Sequence, residues 1–248
     1  MEEKMYLLAQ YLAATGISFL PKKDDDSHTN LTFSIENESL YSGPLNKNGD
    51  TLSVSYKKFE LHWNSNNVSV PLRLEGISHS EILEWIERMA TKAGLRSPYK
   101  YSFHYEFPYE IDDNYIFRLL DTQRLRELLK LRISAQLILE KFLKDHGLTS
   151  EIRIWPHHFD TGAYANFNDN SGRAVGLGLA VPDSICSDHY FYISGYQGND
   201  EVNILEFKPL SHGNWGVNGF NGAILPATGV DKNAGVSFFS EAFSHYQN

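Results

Sequence analysis

The stretch EIRIWPHHFDTGAY, from Glu151 to Tyr164, places two histidines and an aspartate directly after an apolar, β-prone run. Imidazole and carboxylate groups serve as general acids and bases, and they also bind zinc, manganese or iron. We take His158 and Asp160 as candidate catalytic residues. If the protein is an enzyme, this pair predicts a hydrolase in which the two side chains activate water as a general base. His157 is a candidate ligand-binding residue beside them.

The same cluster has a structural interpretation. A buried imidazole hydrogen-bonded to a carboxylate satisfies two polar groups inside a sheet without any function. Strict β alternation would send His158 and Asp160 to the same face as Ile152 and Ile154, which favours this interpretation. A bulge at Pro156 would instead open both neighbouring histidines onto one pocket. Both interpretations stay open.

Two further segments carry side chains that suit a ligand pocket. DHYFYISGY reads as an aromatic strand, and SHGNWGVNGFNGAILP reads as a glycine- and asparagine-rich loop with embedded aromatic rings. Loops of that composition can wrap a small ligand with backbone amides and ring faces. The predicted ligand-binding residues are His157, His189, Tyr192, Trp215 and Phe220.

A divalent metal ion is an open alternative as a cofactor. Besides the two histidines and the aspartate, its ligands would come from His189, Glu206, His104 or Glu106. None of the spacings between these residues is diagnostic of a metal site. The sequence also lacks the motifs of phosphate loops, nucleophile elbows, HExxH zinc helices and CxxC pairs. It therefore names neither a cofactor nor a reaction.

Composition narrows the partners and the location. The sequence has 22 basic against 31 acidic side chains, a net charge of −9, so nucleic acid is not an expected partner. No apolar run approaches the ~18 residues that a membrane helix needs. The single cysteine, Cys186, and the lack of a secretory signal pattern predict a cytoplasmic protein. A small molecule is the expected ligand, and the oligomeric state stays open.

Hydrophobic periodicity predicts the elements of the first half. Residues Glu2 to Thr15 place apolar side chains at helical spacing, and the pattern stops at Gly16, which indicates a short amphipathic helix. Between Leu31 and Leu74 the period changes to two. Three β-prone runs there are separated by the turn segments NKNGD and NSNN, which predicts a β-meander.

The middle of the chain carries the clearest local signature. Ser78 can cap a helix, Glu81 can complete a capping box, and Gly94 can end the helix in the left-handed conformation. The alternating run KYSFHYEF, Lys100 to Phe107, predicts a strand. A second helix is predicted from about Asp121 to His146.

After Ser150 the pattern is again β-rich. EIRIW, AVGLGLAV, HYFYISGY, VNILEF and AILP predict strands, and Val236 to Tyr246 predicts a last helix. Strands and helices that do not alternate strictly indicate an α+β fold with mainly antiparallel sheet. We expect one unit over residues 1–248. A subdivision near residue 150 would separate a meander with helices, 1–150, from a β-rich half with a C-terminal helix, 151–248.

Three of these motifs, in this order, resemble an uncharacterised bacterial domain family. They are IWPHHFDTG (Ile154 to Gly162), the strand DHYFYISGY (Asp188 to Tyr196) and GFNGAILP (Gly219 to Pro226), which precedes a helix with FFSEAF. The upstream layout is similar more loosely, so the resemblance covers most of the chain. It implies no activity and no residue roles, only that the second half forms a cohesive unit with the first.

Overall fold

The computed structural model describes residues 1–66 and 68–247, and it confirms the predicted α+β fold with antiparallel sheets. The chain divides into two compact units. Unit 1 comprises Met1–Lys130 and Ile154–Phe159, and unit 2 comprises Leu131–Arg153 and Asp160–Asn248. The predicted subdivision lies near Ser150. In the structure the chain passes from unit 1 to unit 2 after Lys130, and it returns to unit 1 only for Ile154–Phe159. That all of the chain acts as one unit stays a prediction. Every helix within the described residues is too short or too polar to cross a membrane.

Unit 1 contains the predicted β-meander. Its strands pair in sequence order, each antiparallel to the next. The strands and the two helices that belong wholly to this unit are α1 (Glu2–Phe19), β1 (Thr32–Ser34), β2 (Ser39–Tyr41), β3 (Thr51–Ser55), β4 (Glu60–Ser65), β5 (Val68–Arg73) and α2 (His79–Lys92). The predicted NSNN turn includes Asn67, which lies outside the described residues.

Helix α1 is longer and more deeply buried than its pattern predicts. It continues through Gly16 to Phe19, and all residues from Met5 to Gly16 are buried. A helix that is apolar on all sides is a core helix and not an amphipathic surface helix. Gly16 does not end the helix. Any Cβ at this position would lie 2.3 Å from the carbonyl oxygen of His28, so glycine is required by the close approach of that backbone.

Helix α2 forms as its capping signals predict. The Ser78 side chain accepts from the backbone N–H of Glu81, and the Glu81 carboxylate accepts from the backbone N–H of Ser78. Gly94 follows the helix with φ +76°. Because all of these interactions are local, the sequence alone was sufficient to predict them.

The predicted strand from Lys100 to Phe107 is wrong, because this segment is irregular in the structure. Its period of two is real nonetheless. The aromatic side chains of Tyr101, Phe103, Tyr105 and Phe107 are half-buried, and the residues between them are exposed. The alternation is satisfied by packing of the rings on α1 and on one another, without a neighbouring strand.

Helix α3 (Thr122–Asp145) begins in unit 1 and ends in unit 2. It confirms the prediction of a helix from about Asp121 to His146. Asp121 accepts from the backbone N–H of Arg124 at the start, and Gly147 takes a left-handed φ of +63° just beyond the end. Strand β6 (Arg153–Trp155) follows, and the boundary between the units passes through it.

Unit 2 consists of an antiparallel sheet packed on α3 and on a C-terminal helix. Its elements after β6 are β7 (Asp160–Asn166), β8 (Arg173–Ala180), β9 (Tyr190–Gln197), β10 (Asp200–Glu201), β11 (Asn214–Trp215), β12 (Ala223–Pro226) and α4 (Lys232–Gln247). The sheet order is β11-β12-β9-β8-β7, and β10 pairs with β9. Alternate residues of β7, β8 and β9 face the helices and form the core of the unit.

The predicted strand VNILEF, Val202 to Phe207, is wrong. The segment is a loop with a turn, in which the backbone N–H of Phe207 donates to the carbonyl of Ile204. Ile204 is buried in the core of unit 2, whereas Leu205 is 87% exposed. A few apolar side chains of this loop pack on the core of unit 2. They produce the same short hydrophobic pattern in the sequence as a strand does.

Candidate functional site

The boundary between the two units divides the HHFD segment. His157 and His158 belong to unit 1, and Asp160 begins β7 in unit 2. The other predicted ligand-binding residues, His189, Tyr192, Trp215 and Phe220, also belong to unit 2.

Residues 156–159 form a turn and not a continuing strand. The backbone N–H groups of His158 and Phe159 both donate to the carbonyl of Trp155, over 3.3 and 2.7 Å. Phe159 is buried with φ +61°, a conformation that bulky residues rarely adopt. His158 is exposed and Asp160 is buried. The regular alternation that would bury both side chains is therefore wrong, and the turn replaces the predicted bulge.

Two side chains of helix α1 donate hydrogen bonds to the backbone carbonyl groups of this turn. The Tyr6 hydroxyl donates to the carbonyl of His157 over 2.6 Å, and the Gln10 amide donates to the carbonyl of Pro156 over 2.8 Å. Ile154, just before the turn, forms an antiparallel bridge with Leu31. Buried side-chain donors thus satisfy the turn's carbonyl groups, which is what a buried turn requires.

The His157 imidazole is half-buried among aromatic rings. Its ring centroid lies 5.7 Å from that of Tyr105 and 4.4 Å from that of His158. Burial, and then the neighbouring His158 and His104, lower the pKa of His157 to about 4, although Asp26 opposes this effect. An efficient general base has a pKa near the working pH. At neutral pH His157 is an uncharged packing group and a weak base.

The low pKa of His157 makes the stability of the protein depend on pH. An unfolded histidine has a pKa of about 6.5, so between pH 6.5 and 4 the unfolded state binds more protons than the folded state. The stabilisation is complete above about pH 6.5 and is lost as the pH falls towards 4. With a discount for partial exposure, we expect a loss of about 2 kcal/mol from this residue. Denaturant unfolding at a series of pH values measures it.

The control separates this histidine from the other titrating groups. His157→Gln should flatten the fall in unfolding free energy by about 2 kcal/mol, because glutamine does not titrate. His158→Gln, at the exposed neighbour that adds to the lowering of this pKa after burial does, should flatten the fall by less than His157→Gln does. If the two variants had the same slope as the wild type, the pKa of His157 would not be depressed in the folded state.

Asp160 is 6% exposed and accepts a hydrogen bond from the Tyr192 hydroxyl over 2.5 Å. Burial, and then the Asp160 carboxylate, raise the pKa of Tyr192 well above its usual range, so this hydroxyl stays protonated and donates. The next residue, Thr161, accepts from the buried Arg132 guanidinium over 2.6 Å. These bonds tie the first residues of β7 to β9 and to α3.

The structure brings only some of the predicted ligand-binding residues together. Phe220 meets Tyr192 edge to face at 6.3 Å, on the side of the sheet that carries Asp160. Trp215 lies elsewhere in unit 2, because it packs on Phe207 and Tyr246 and its indole N–H donates to the carbonyl of Lys208.

His189 is buried just before β9. Its carbonyl accepts from the backbone N–H of Ala227 over 2.7 Å. As for a metal, the described residues contain no group of three or more histidine, cysteine, aspartate or glutamate side chains that could hold an ion.

Unit 1 contains a cavity of about 760 Å³ that we did not predict. Six of the ten lining residues are aromatic, and two are carboxylates. The lining residues are Tyr101, Ser102, Phe103, Tyr105, Phe107, Tyr109, Glu110, Ile111, Asp112 and Tyr115. We call this cavity the aromatic pocket. Its signal in the sequence is the alternation of aromatic residues between Tyr101 and Tyr109. The part of this alternation up to Phe107 predicted a strand and not a cavity.

Helix α1 supports both the aromatic pocket and the His157 turn. The Gln10 side chain accepts from the Tyr105 hydroxyl over 2.8 Å, and its amide group donates to the turn at Pro156. The Tyr6 ring lies 5.2 Å from that of Tyr109, and its hydroxyl donates to the turn at His157. Two side chains on successive turns of one helix therefore connect the pocket wall to the turn.

One polar group in the wall lacks a partner. The hydroxyl oxygen of Tyr101 is buried and makes no hydrogen bond within the described residues. The Tyr101 ring packs on Tyr11 at 4.9 Å and on Phe103 at 4.9 Å. A buried hydroxyl without a partner is uncommon in proteins and requires an explanation, such as a bound group that supplies the partner.

Comparison with known proteins finds no match for this chain among family models, curated proteins or solved structures. The resemblance to the bacterial domain family therefore stays a prediction. Function has to be inferred from the residues and their chemistry.

Proposed function

We propose that this protein binds a small organic molecule in the aromatic pocket of unit 1, and that the His157 turn has a structural role there. The observation that carries the proposal is an open cavity of about 760 Å³ lined in part by six aromatic side chains, a size within the range of ligand sites. Gln10 and Tyr6 join the pocket wall to the turn, so an ordered turn keeps the wall in place.

A non-catalytic role has more support than hydrolysis by His158 and Asp160. His158 is exposed on its turn, and Asp160 already accepts from the Tyr192 hydroxyl. The third polar member of the segment, His157, has a pKa too low for a general base at neutral pH. The hydrolase hypothesis stays a prediction, and so does a divalent metal cofactor.

The expected location and partners belong to the same proposal. We propose a cytoplasmic, bacterial protein, because a single cysteine, Cys186, leaves no intramolecular disulfide and the chain resembles a bacterial family. A small molecule is the expected partner. The net charge of −9 argues against nucleic acid.

A fragment screen by ligand-observed NMR tests the proposal on the full chain. The set contains aromatic and aliphatic fragments that are cationic, neutral or anionic. We expect binders whose affinity falls about tenfold in Tyr109→Ala, because one ring contact contributes about 1 kcal/mol or more. Tyr164→Ala is the matched control, because Tyr164 is an exposed tyrosine of unit 2 and should not change binding. If no fragment binds, or if both variants bind fragments equally well, the proposed function is wrong.

A further inference from the structure

Carboxylates belong to the lining of the aromatic pocket and also lie near its Tyr109 and Tyr115. Glu110 and Asp112 belong to the lining itself. Glu3, on α1, accepts from the Tyr115 hydroxyl over 3.2 Å. Burial and then Glu3 raise the pKa of Tyr115 to about 12. The pKa of Tyr109 is also raised by burial and then by Glu2 and Glu3, so both rings lie in a negative field.

Positive charges lie near the glutamates of α1 but not near the carboxylates of the lining. Arg124 pairs with Glu2 at 3.4 Å and also with Glu127, on its own helix. The N-terminal amine and Lys4 lie near the same glutamates. Within the described residues, no basic side chain comes within ion-pair distance of Glu110 or Asp112, and the Asp112 carboxylate accepts only from the backbone N–H of Asn114. The pocket therefore keeps an excess of negative charge.

We infer that the ligand of the aromatic pocket is an organic cation, such as an alkylated ammonium group, held by the tyrosine rings and by Glu110 and Asp112. This inference rests on the proposed function and names the ligand class of the same site. A cation within about 6 Å of an aromatic face is attracted by the ring quadrupole. The carboxylates add a longer-range attraction. The same field opposes the entry of phosphate or carboxylate ligands.

Choline and 3,3-dimethylbutan-1-ol test the inference, because the alcohol has the shape of choline with a neutral carbon in place of the nitrogen. We expect choline to bind at least about tenfold more tightly in low salt, and its advantage to shrink as salt is added. Equal or tighter binding of the neutral alcohol overturns the inference and leaves the proposed function standing. If neither probe binds while fragments from the screen do, the cation inference alone is wrong. If no fragment binds at all, both proposals are wrong.

A variant pair separates pocket carboxylates from the general acidity of the chain. Glu110→Gln combined with Asp112→Asn should weaken choline binding by about tenfold and leave the neutral alcohol unchanged. Glu106→Gln is the matched control, because Glu106 is exposed on the same segment and does not line the pocket. It should change choline affinity by no more than about twofold. An equal loss in both variants would mean that choline responds only to net charge, which overturns the inference.

Discussion

Replacing Asp160 by alanine is expected to lower the free energy of unfolding by about 3 kcal/mol. The carboxylate is 6% exposed and accepts from the Tyr192 hydroxyl over 2.5 Å, and it precedes Thr161, which Arg132 holds. Its loss leaves a buried hydroxyl donor without this acceptor at the start of a central strand. Denaturant unfolding of Asp160→Ala and of the wild type measures the difference.

Two further variants show whether the cause is the pair or the position. His158→Ala, on the exposed side of the neighbouring turn, should stay within about 0.5 kcal/mol of the wild type. In a double-mutant cycle with Tyr192→Phe, Asp160→Ala should show a coupling of about 1 to 2 kcal/mol. A stability that is unchanged or raised in Asp160→Ala would contradict the structural interpretation, because it would mark a residue kept for function at the expense of stability.

The second large effect is expected at Gly195, in β9. A Cβ at this position would lie 2.2 and 2.4 Å from two ring carbons of Tyr246, which is 4% exposed on α4. These distances are far below any real carbon contact, so the ring or the strand must move. We expect Gly195→Ala to lower the free energy of unfolding by about 3 kcal/mol, as overpacking of a core does. Thermal unfolding should show a lower melting temperature.

Gly176→Ala is the matched control on the adjacent strand. Its Cβ would meet the flexible Tyr196 ring at 3.3 Å and no closer atom, so the expected loss is below about 1 kcal/mol. Adding Tyr246→Leu to Gly195→Ala should restore part of the stability, since a smaller side chain frees the space. Equal effects of the two glycine variants would exclude the Tyr246 contact as the cause.

The parts of the fold that depend on local interactions could be predicted from the sequence. Ser78, Glu81 and Gly94 define α2 by contacts within a few residues, and the NKNGD segment forms the turn between β2 and β3 with Gly49 at a positive φ. The full extent of α1 could not be predicted in this way. Gly16 suggests a helix end, but it lies inside the helix and is required by the close approach of the His28 backbone, a contact that no pattern within the helix records.

The candidate site shows the same limit. The alternation of aromatic residues from Tyr101 onward correctly indicated which side chains face inward. It did not show that their partner is a helix or that they surround a cavity. In the HHFD segment, the predicted alternation of a strand does not continue, because a turn interrupts it. That turn depends on Phe159 at a positive φ, a conformation that no rule of composition predicts for phenylalanine.

The order of the two units along the chain has a consequence for synthesis. Unit 1 ends at Lys130 except for one short segment, Ile154–Phe159, which is made only after the first part of unit 2. That segment supplies the carbonyl acceptors of Tyr6 and Gln10. N-terminal parts of a chain generally fold first on the ribosome, but the fold of unit 1 cannot be completed until residue 159 has been synthesised. A gene fragment that stops at residue 130 therefore encodes an incomplete unit 1, which lacks the carbonyl acceptors of Tyr6 and Gln10.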